Sequence, residues 1–249
     1  MTGPAGEVEW PAAGRRYEPV EAREARILQR ARAALREEIA MAEEVLAVYL
    51  DLLGAVDEDP RLRWPAEEAR VAFEACLVRL FDDLLATHYL TLRGLYLQAN
   101  RLWQDYLETL WLALQFVHAP RAARQWLQGH RLDPLRARRV LEERGLVEPR
   151  GGELYELLDH RAHPRSKEGF ERALTISSYM GEWQLSFFVG GEGNDAWLRR
   201  GVLDWLYLAC YGLDEIDRLG VVPADTQWSQ RRAAAVAAAE RLLASRRAD

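Results

Sequence analysis

The chain has 249 residues, of which 49% are hydrophobic and 29% are charged, and its formal net charge is −6. This composition is typical of a globular protein that buries a sizeable core, and it excludes disorder along the whole chain. The net negative charge argues against a general nucleic-acid binder, because that function needs a basic surface.

The two cysteines, Cys76 and Cys210, lie far apart inside apolar helical patterns. We expect two buried thiols and no disulfide, which fits a reducing cytoplasm. The first residues lack the basic and apolar segments of a signal peptide, and no apolar stretch is long enough to cross a bilayer. We therefore expect a cytoplasmic protein that does not enter a membrane.

The first half of the chain predicts long helices. Residues 1–18 are rich in glycine and proline without periodicity and predict a flexible N-terminal arm, whereas residues 19–249 predict one domain. Apolar residues recur at helical spacing from Pro19 to Leu53, which predicts one long amphipathic helix that Gly54 closes. Gly94 breaks the pattern that follows and predicts two further helices, Pro65–Leu92 and Leu95–Val117.

The second half predicts shorter helices interrupted by one irregular insertion. Glycines and prolines delimit five helices: Pro120–Trp126, Leu135–Arg144, Glu153–His163, Ala196–Arg218 and Asp225–Ser245. Gly151 and Gly152 are expected to separate the second of these from the third. Residues 165–194 carry β-branched and aromatic residues in partial alternation, which predicts a strand pair or an ordered loop. The predicted fold is an all-α, single-domain bundle of about eight helices with this insertion.

The segment from Glu153 to Pro164 concentrates the unusual chemistry, since it holds two of the five histidines. On a helix, Glu156, His160 and His163 share one face, and Tyr155 pairs with Asp159 on a neighbouring one. The polar middle of helix 95–117 is the expected counterpart across a pocket. The predicted lining is Arg101, Gln104, Asp105, Glu108, Tyr155, Asp159, His160 and His163.

Imidazole and carboxylate ligands on one helix face suit zinc or iron, so Glu156, His160 and His163 are candidate metal ligands. Asp105, Glu108 or His88 could complete such a site. The alternative is that His163 caps the helix end, where the dipole favours it, and His160 binds a carboxylate. We expect no cofactor, with a divalent transition metal as the alternative.

Two other motifs are incomplete. Asp82-Asp83 lacks the third acid of a magnesium-binding aspartate motif, because Ala86 occupies that position. The glycines at 190–193 lack the lysine and hydroxyl residue that complete a phosphate loop.

Three runs carry a resemblance to a known group: LRGLYLQANRLWQDYLE (92–108), APRAARQW (119–126) and LYELLDHRAHP (154–164). The chain resembles uncharacterised bacterial all-helical proteins, some of them HEPN-like. Gln104 and Asp159 stand where that group carries arginine and serine. The resemblance implies a helical bundle linked to defence or regulation. HEPN ribonucleases carry an arginine followed within two helical turns by a histidine, a spacing that Arg124 and His130 match.

These observations favour a non-enzymatic helical binding or scaffold module that is oligomeric. Nine tryptophans suggest a protein partner or self-association through an exposed aromatic face, because tryptophan is enriched at interfaces. Net charge does not favour nucleic acid as a partner. The alternative function is a HEPN-like ribonuclease or metal-dependent hydrolase that uses His160, His163 and Glu108.

Overall fold

A computed structural model describes residues 20–162, 174–179, 182–187 and 195–247. Within these ranges the chain forms nine helices: α1 Val20–Ala34, α2 Arg36–Glu58, α3 Glu67–Leu92, α4 Tyr96–His118, α5 Pro120–Leu127, α6 Pro134–Glu143, α7 Arg150–Ala162, α8 Asp195–Arg218 and α9 Gln227–Arg247. The predicted all-α bundle is confirmed. The N-terminal arm at residues 1–18 lies outside the described ranges.

The insertion between α7 and α8 contains two strands, β1 Leu174–Tyr179 and β2 Glu182–Phe187. They pair antiparallel, with Leu174 opposite Phe187 and Tyr179 opposite Glu182.

The predicted long first helix is divided at Leu35. Leu35 leaves helical geometry, with φ −124 and ψ 36, but its N–H still donates to Ala31 and its carbonyl still accepts from Ile39. The division is therefore a local distortion around a buried leucine. The prediction that Gly54 ends this helix is wrong, because α2 continues to Glu58.

Two of the predicted helix ends have a clear cause. Gly94, between α3 and α4, and Gly145, after α6, adopt positive φ values of 73° and 66° that favour glycine. Asp133 begins α6 by accepting a hydrogen bond from the N–H of Leu135. These breaks allow α3 and α4 to fold back on one another.

The main core forms around α4, which packs against α3, α5, α6, α7 and α8. The fully buried hydroxyls of Tyr49 and Tyr106 hydrogen-bond at 2.6 Å, and Tyr49 also donates to the carbonyl of Ala209. Trp205 on α8 donates to the carbonyl of Leu84 on α3, which fixes α8 beside that helix. A smaller cluster packs α1 against the end of α3 and the start of α8. None of the helices in the described ranges has the length and apolarity that crossing a bilayer requires.

Candidate functional site

A direct hydrogen bond joins α4 to α7, the two helices that the sequence pairs across a pocket. The Tyr155 hydroxyl on α7 donates to Glu108 Oε1 on α4 at 2.6 Å. The Tyr155 ring also packs on Trp111, with ring centroids 5.5 Å apart. Glu108 and Tyr155 therefore meet, as a hydrogen-bonded contact between packed helices.

The other polar residues of α4 make further contacts. Arg101 is exposed and reaches the buried Gln104 at 3.5 Å. Asp105 lies nearer α3: burial raises the pKa of Asp83, and the Asp105 carboxylate adds to that rise. Of these four polar residues, Glu108 is directly hydrogen-bonded to α7 among the described side chains.

The histidine part of the predicted site is only partly described. His163 lies outside the described residues, and so do the side chains of Asp159 and His160. Glu156 is exposed on α7. His88 is buried against the edge of Trp205, and burial lowers its pKa to about 4. Among the described residues, no group of three or more histidine, cysteine or acidic side chains could hold a metal ion.

A narrow cavity of about 60 Å³ lies between α4, α7 and α8, close to the predicted pocket. Asn100, Trp103, Leu154 and Leu158 are among its walls. At this size it holds a few water molecules. The five predicted pocket residues with described side chains are not among its described walls: Arg101, Gln104, Asp105, Glu108 and Tyr155.

A larger cavity of about 430 Å³ lies where α8 and α9 meet the segment that enters α7. We call it the acidic cavity. Its volume falls in the range of small-molecule sites, roughly 300–1,000 Å³. Its lining is Glu148, Arg150, Tyr207, Cys210, Tyr211, Asp214, Glu215, Arg218, Glu240, Leu243 and Ala244.

The prediction that Gly151 and Gly152 separate two helices is wrong. Both are buried inside the first turn of α7. A Cβ on Gly151 would lie 2.2 Å from the Tyr211 hydroxyl, and one on Gly152 would lie 2.7 Å from Arg138 Nη1. These glycines therefore permit close packing of the helix start.

Glu215 is the most buried acid of the acidic cavity, with 1% of its side chain exposed. Its Oε1 accepts from Arg218 Nη1 at 3.3 Å and from the backbone N–H of Glu148 at 3.4 Å. Its Oε2 has no hydrogen-bond partner among the described residues. Burial raises the pKa of Glu215 to about 7, with Arg218 opposing the rise.

The surrounding groups are held in un-ionised or paired states. Burial raises the pKa of the Cys210 thiol to about 12 and raises that of Tyr211 above its ordinary value. Arg218 also pairs with Glu148. Asp214 forms an ion pair of 2.7 Å with Arg232, which is not part of the lining. The Tyr211 hydroxyl lies beside Trp111 Nε1 without a hydrogen bond of good geometry.

The acidic cavity was not predicted, because the nearly all-round apolar pattern of α8 is typical of a central helix without a site. The available signal was Asp214-Glu215, two adjacent acids inside that helix. An acid in a central helix must be paired or functional, since burying a charge is unfavourable. Comparison of the chain with protein-family models, with curated proteins and with solved structures gives no match.

Proposed function

We propose that the chain is a non-enzymatic binding module whose ligand occupies the acidic cavity. The observation that carries this proposal is a ligand-sized space lined by Glu215, whose buried Oε2 has no hydrogen-bond partner among the described residues. Such oxygens are normally hydrogen-bonded, because an unsatisfied buried acceptor is destabilising by about 1–3 kcal/mol. A bound molecule that donates to this oxygen would remove that deficit.

The chemistry of the lining also supports binding rather than covalent catalysis. Cys210 is the thiol of the lining, and its raised pKa keeps it protonated and unreactive near neutral pH. Arg218 is held by Glu148 and Glu215. The cavity therefore presents positioned hydrogen-bonding groups without an activated cysteine.

Blocking the cavity tests this proposal. Ala244 is exposed and lines the cavity, whereas Ala234 is exposed on the same helix and is not part of the lining. Thermal unfolding would be followed with amines, polyols and dicarboxylates for the wild type, Ala244→Trp and Ala234→Trp. We expect at least one class to raise Tm of the wild type and Ala234→Trp but not of Ala244→Trp. Equal responses of the two variants to every compound would contradict the proposal.

We also propose self-association, supported by an exposed stripe on α3. Val71, Val78, Leu85 and Tyr89 expose 38–57% of their surface. With the exposed Ala75 and Asp82, these residues follow one another at alternating spacings of four and three positions. This spacing is typical of the seam of a coiled coil. The seam extends about 27 Å along the helix. The tryptophans with described side chains are buried or half-buried, so this aliphatic stripe replaces them as the basis for the proposal.

A second copy of the chain suits this stripe because its charges complement themselves. If two α3 helices pair antiparallel about a two-fold axis near residue 80, Arg79 of each copy lies level with Asp82 of the other. The side chain of Arg79 is 57% exposed although it pairs with Asp83. Such a dimer would place one ion pair on each side of its axis.

Light scattering coupled to size-exclusion chromatography tests self-association. We expect the wild type to have twice the 28.5 kDa mass of the chain, and the double variant Val78→Glu, Leu85→Glu to be a monomer. Leu50→Glu is the control, because Leu50 is 51% exposed on α2 and lies outside the stripe. A wild type that is monomeric at every concentration would refute this second proposal.

The hydrolase or ribonuclease that uses Glu108, His160 and His163 stays the rival prediction. The contact between Glu108 and Tyr155 is the feature that favours it, since it ties Glu108 to the helix that carries His160. If this rival is right, His163→Ala abolishes RNA cleavage or hydrolysis by the purified protein. Equal activity of the variant and the wild type would dismiss it.

A further inference from the structure

We propose that the acidic cavity binds a flexible organic polycation, an alkyl polyamine in chemical class, and that Glu215 is the carboxylate that receives one of its ammonium groups. This inference rests on the proposed function and specifies its ligand.

The charge of the lining selects for a cation. Among the described residues of the lining there are four carboxylates, those of Glu148, Asp214, Glu215 and Glu240, and two guanidinium groups, those of Arg150 and Arg218. Their formal charge sums to −2. Adding the pair of Arg232 and Asp217 behind the wall leaves this charge unchanged. An anion entering the cavity would therefore meet a net repulsion that an ammonium group would not.

The unsatisfied oxygen of Glu215, a residue of the lining, favours a hydrogen-bond donor as the ligand. Glu215 Oε1 is engaged by Arg218 and by the N–H of Glu148, whereas Oε2 is not. A carboxylate oxygen only accepts hydrogen bonds, and an ammonium group brings three donors and no acceptor. The resulting charge-assisted hydrogen bond is among the stronger polar contacts available to a protein.

The aromatic wall is also compatible with a cation. The Arg150 guanidinium lies 4.4 Å from the centroid of the Tyr207 ring, within the distance at which a ring attracts a cation. A cationic side chain of the protein itself therefore already packs against this ring.

The exposure of the acids favours an elongated ligand with more than one charge. Glu215 is almost fully buried, whereas Glu240 on α9 is exposed. A molecule that carries ammonium groups at both ends of a flexible chain can bind a buried and an exposed carboxylate at once. Spermidine is the probe that has this chemistry, and a volume of about 430 Å³ accommodates it.

Calorimetry with matched probes tests the inference. Spermidine, the neutral 1,8-octanediol and the dianion suberate would be titrated into the full chain at pH 8 and low salt. We expect spermidine to bind the wild type and the control Glu153→Gln, an exposed acid on α7, with equal affinity. Glu215→Gln should weaken spermidine binding at least tenfold, because it removes a charge-assisted hydrogen bond. Octanediol and suberate should not bind.

The possible failures are distinguishable. Binding of suberate or octanediol that Ala244→Trp abolishes would overturn the polyamine class and leave the cavity as a binding site. Equal spermidine binding by Glu215→Gln and the wild type would overturn the role of Glu215 and indicate nonspecific attraction to an acidic chain. Absence of any binding would overturn the inference, and the wider set of compounds tested on Ala244→Trp would then decide the proposed function. Circular dichroism melting establishes that each variant is folded.

Discussion

Two tyrosine hydroxyls and one glycine meet at the centre of the bundle. A Cβ on Gly212 would lie 1.8 Å from the Tyr106 hydroxyl and 2.6 Å from that of Tyr49. The hydroxyl pair joins α2 to α4, and Tyr49 also binds a carbonyl of α8. Glycine is needed at position 212 for close approach, because a side chain there would separate these helices.

Gly212→Ala should therefore be strongly destabilising, by about 3 kcal/mol or more, since overpacking a rigid core forces the backbone apart. Gly54→Ala is the matched control, because Gly54 lies inside α2 with nothing within 4 Å of a built Cβ. That change should stabilise the chain by about 0.5–1 kcal/mol through helix propensity. Urea denaturation measures both effects, and a shift of the same sign in the two variants would contradict this account of the core.

Glu215 also makes stability depend on pH. Burial raises the pKa of its carboxyl from 4.5 to about 7 in the folded chain, where Arg218, Glu148 and Asp214 are its charged neighbours. Between these values the folded chain keeps a proton that the unfolded chain has released, so this group makes the free energy of unfolding fall as pH rises.

Glu215→Gln should remove this pH-dependent loss. Between pH 4.5 and pH 8, we expect the free energy of unfolding of the variant to rise by about 2 kcal/mol relative to that of the wild type, after allowance for solvent screening in the cavity. Urea denaturation at several pH values measures the difference, with Glu153→Gln as the exposed control. If the free energies of unfolding of Glu215→Gln and the wild type differ by the same amount at every pH, the carboxyl titrates normally.

The start of α7 shows how much of an element the sequence can predict. Helical periodicity and glycine or proline punctuation locate most helices, because those signals act within a few residues. The same rule fails at Gly151 and Gly152, where glycine serves a contact with Tyr211 and Arg138 that is distant in sequence. The prediction that Gly54 ends a helix fails for a related reason, because the packing of α2 continues past this residue. The contact of Tyr155 with Glu108 was within reach of pattern reasoning because both residues lie on regular helices.

Gly151→Ala tests this explanation of the helix start. The added Cβ would lie 2.2 Å from the Tyr211 hydroxyl, so we expect the free energy of unfolding to fall by about 1–3 kcal/mol. In a Tyr211→Phe background the loss should fall substantially, because the clashing oxygen is gone. A double-mutant cycle from urea denaturation measures the coupling, and purely additive losses would contradict the proposed contact.

At the scale of the whole molecule, the candidate site depends on contacts that no local pattern reveals. The acidic cavity joins residues from the segment before α7 with residues from α8 and α9, which are about 60 to 90 positions later in the chain. Hydrophobic patterning therefore predicts the bundle, whereas the meeting point of Glu148, Glu215 and Glu240 requires the packed structure. The adjacent acids of α8 were the local clue to it.

A crystal structure of the full chain with spermidine tests the central claim most directly. We expect the polyamine inside the acidic cavity, with one ammonium nitrogen about 3 Å from Glu215 Oε2. A structure in which spermidine is absent from the cavity, or in which Glu215 Oε2 contacts no part of it, would contradict the account.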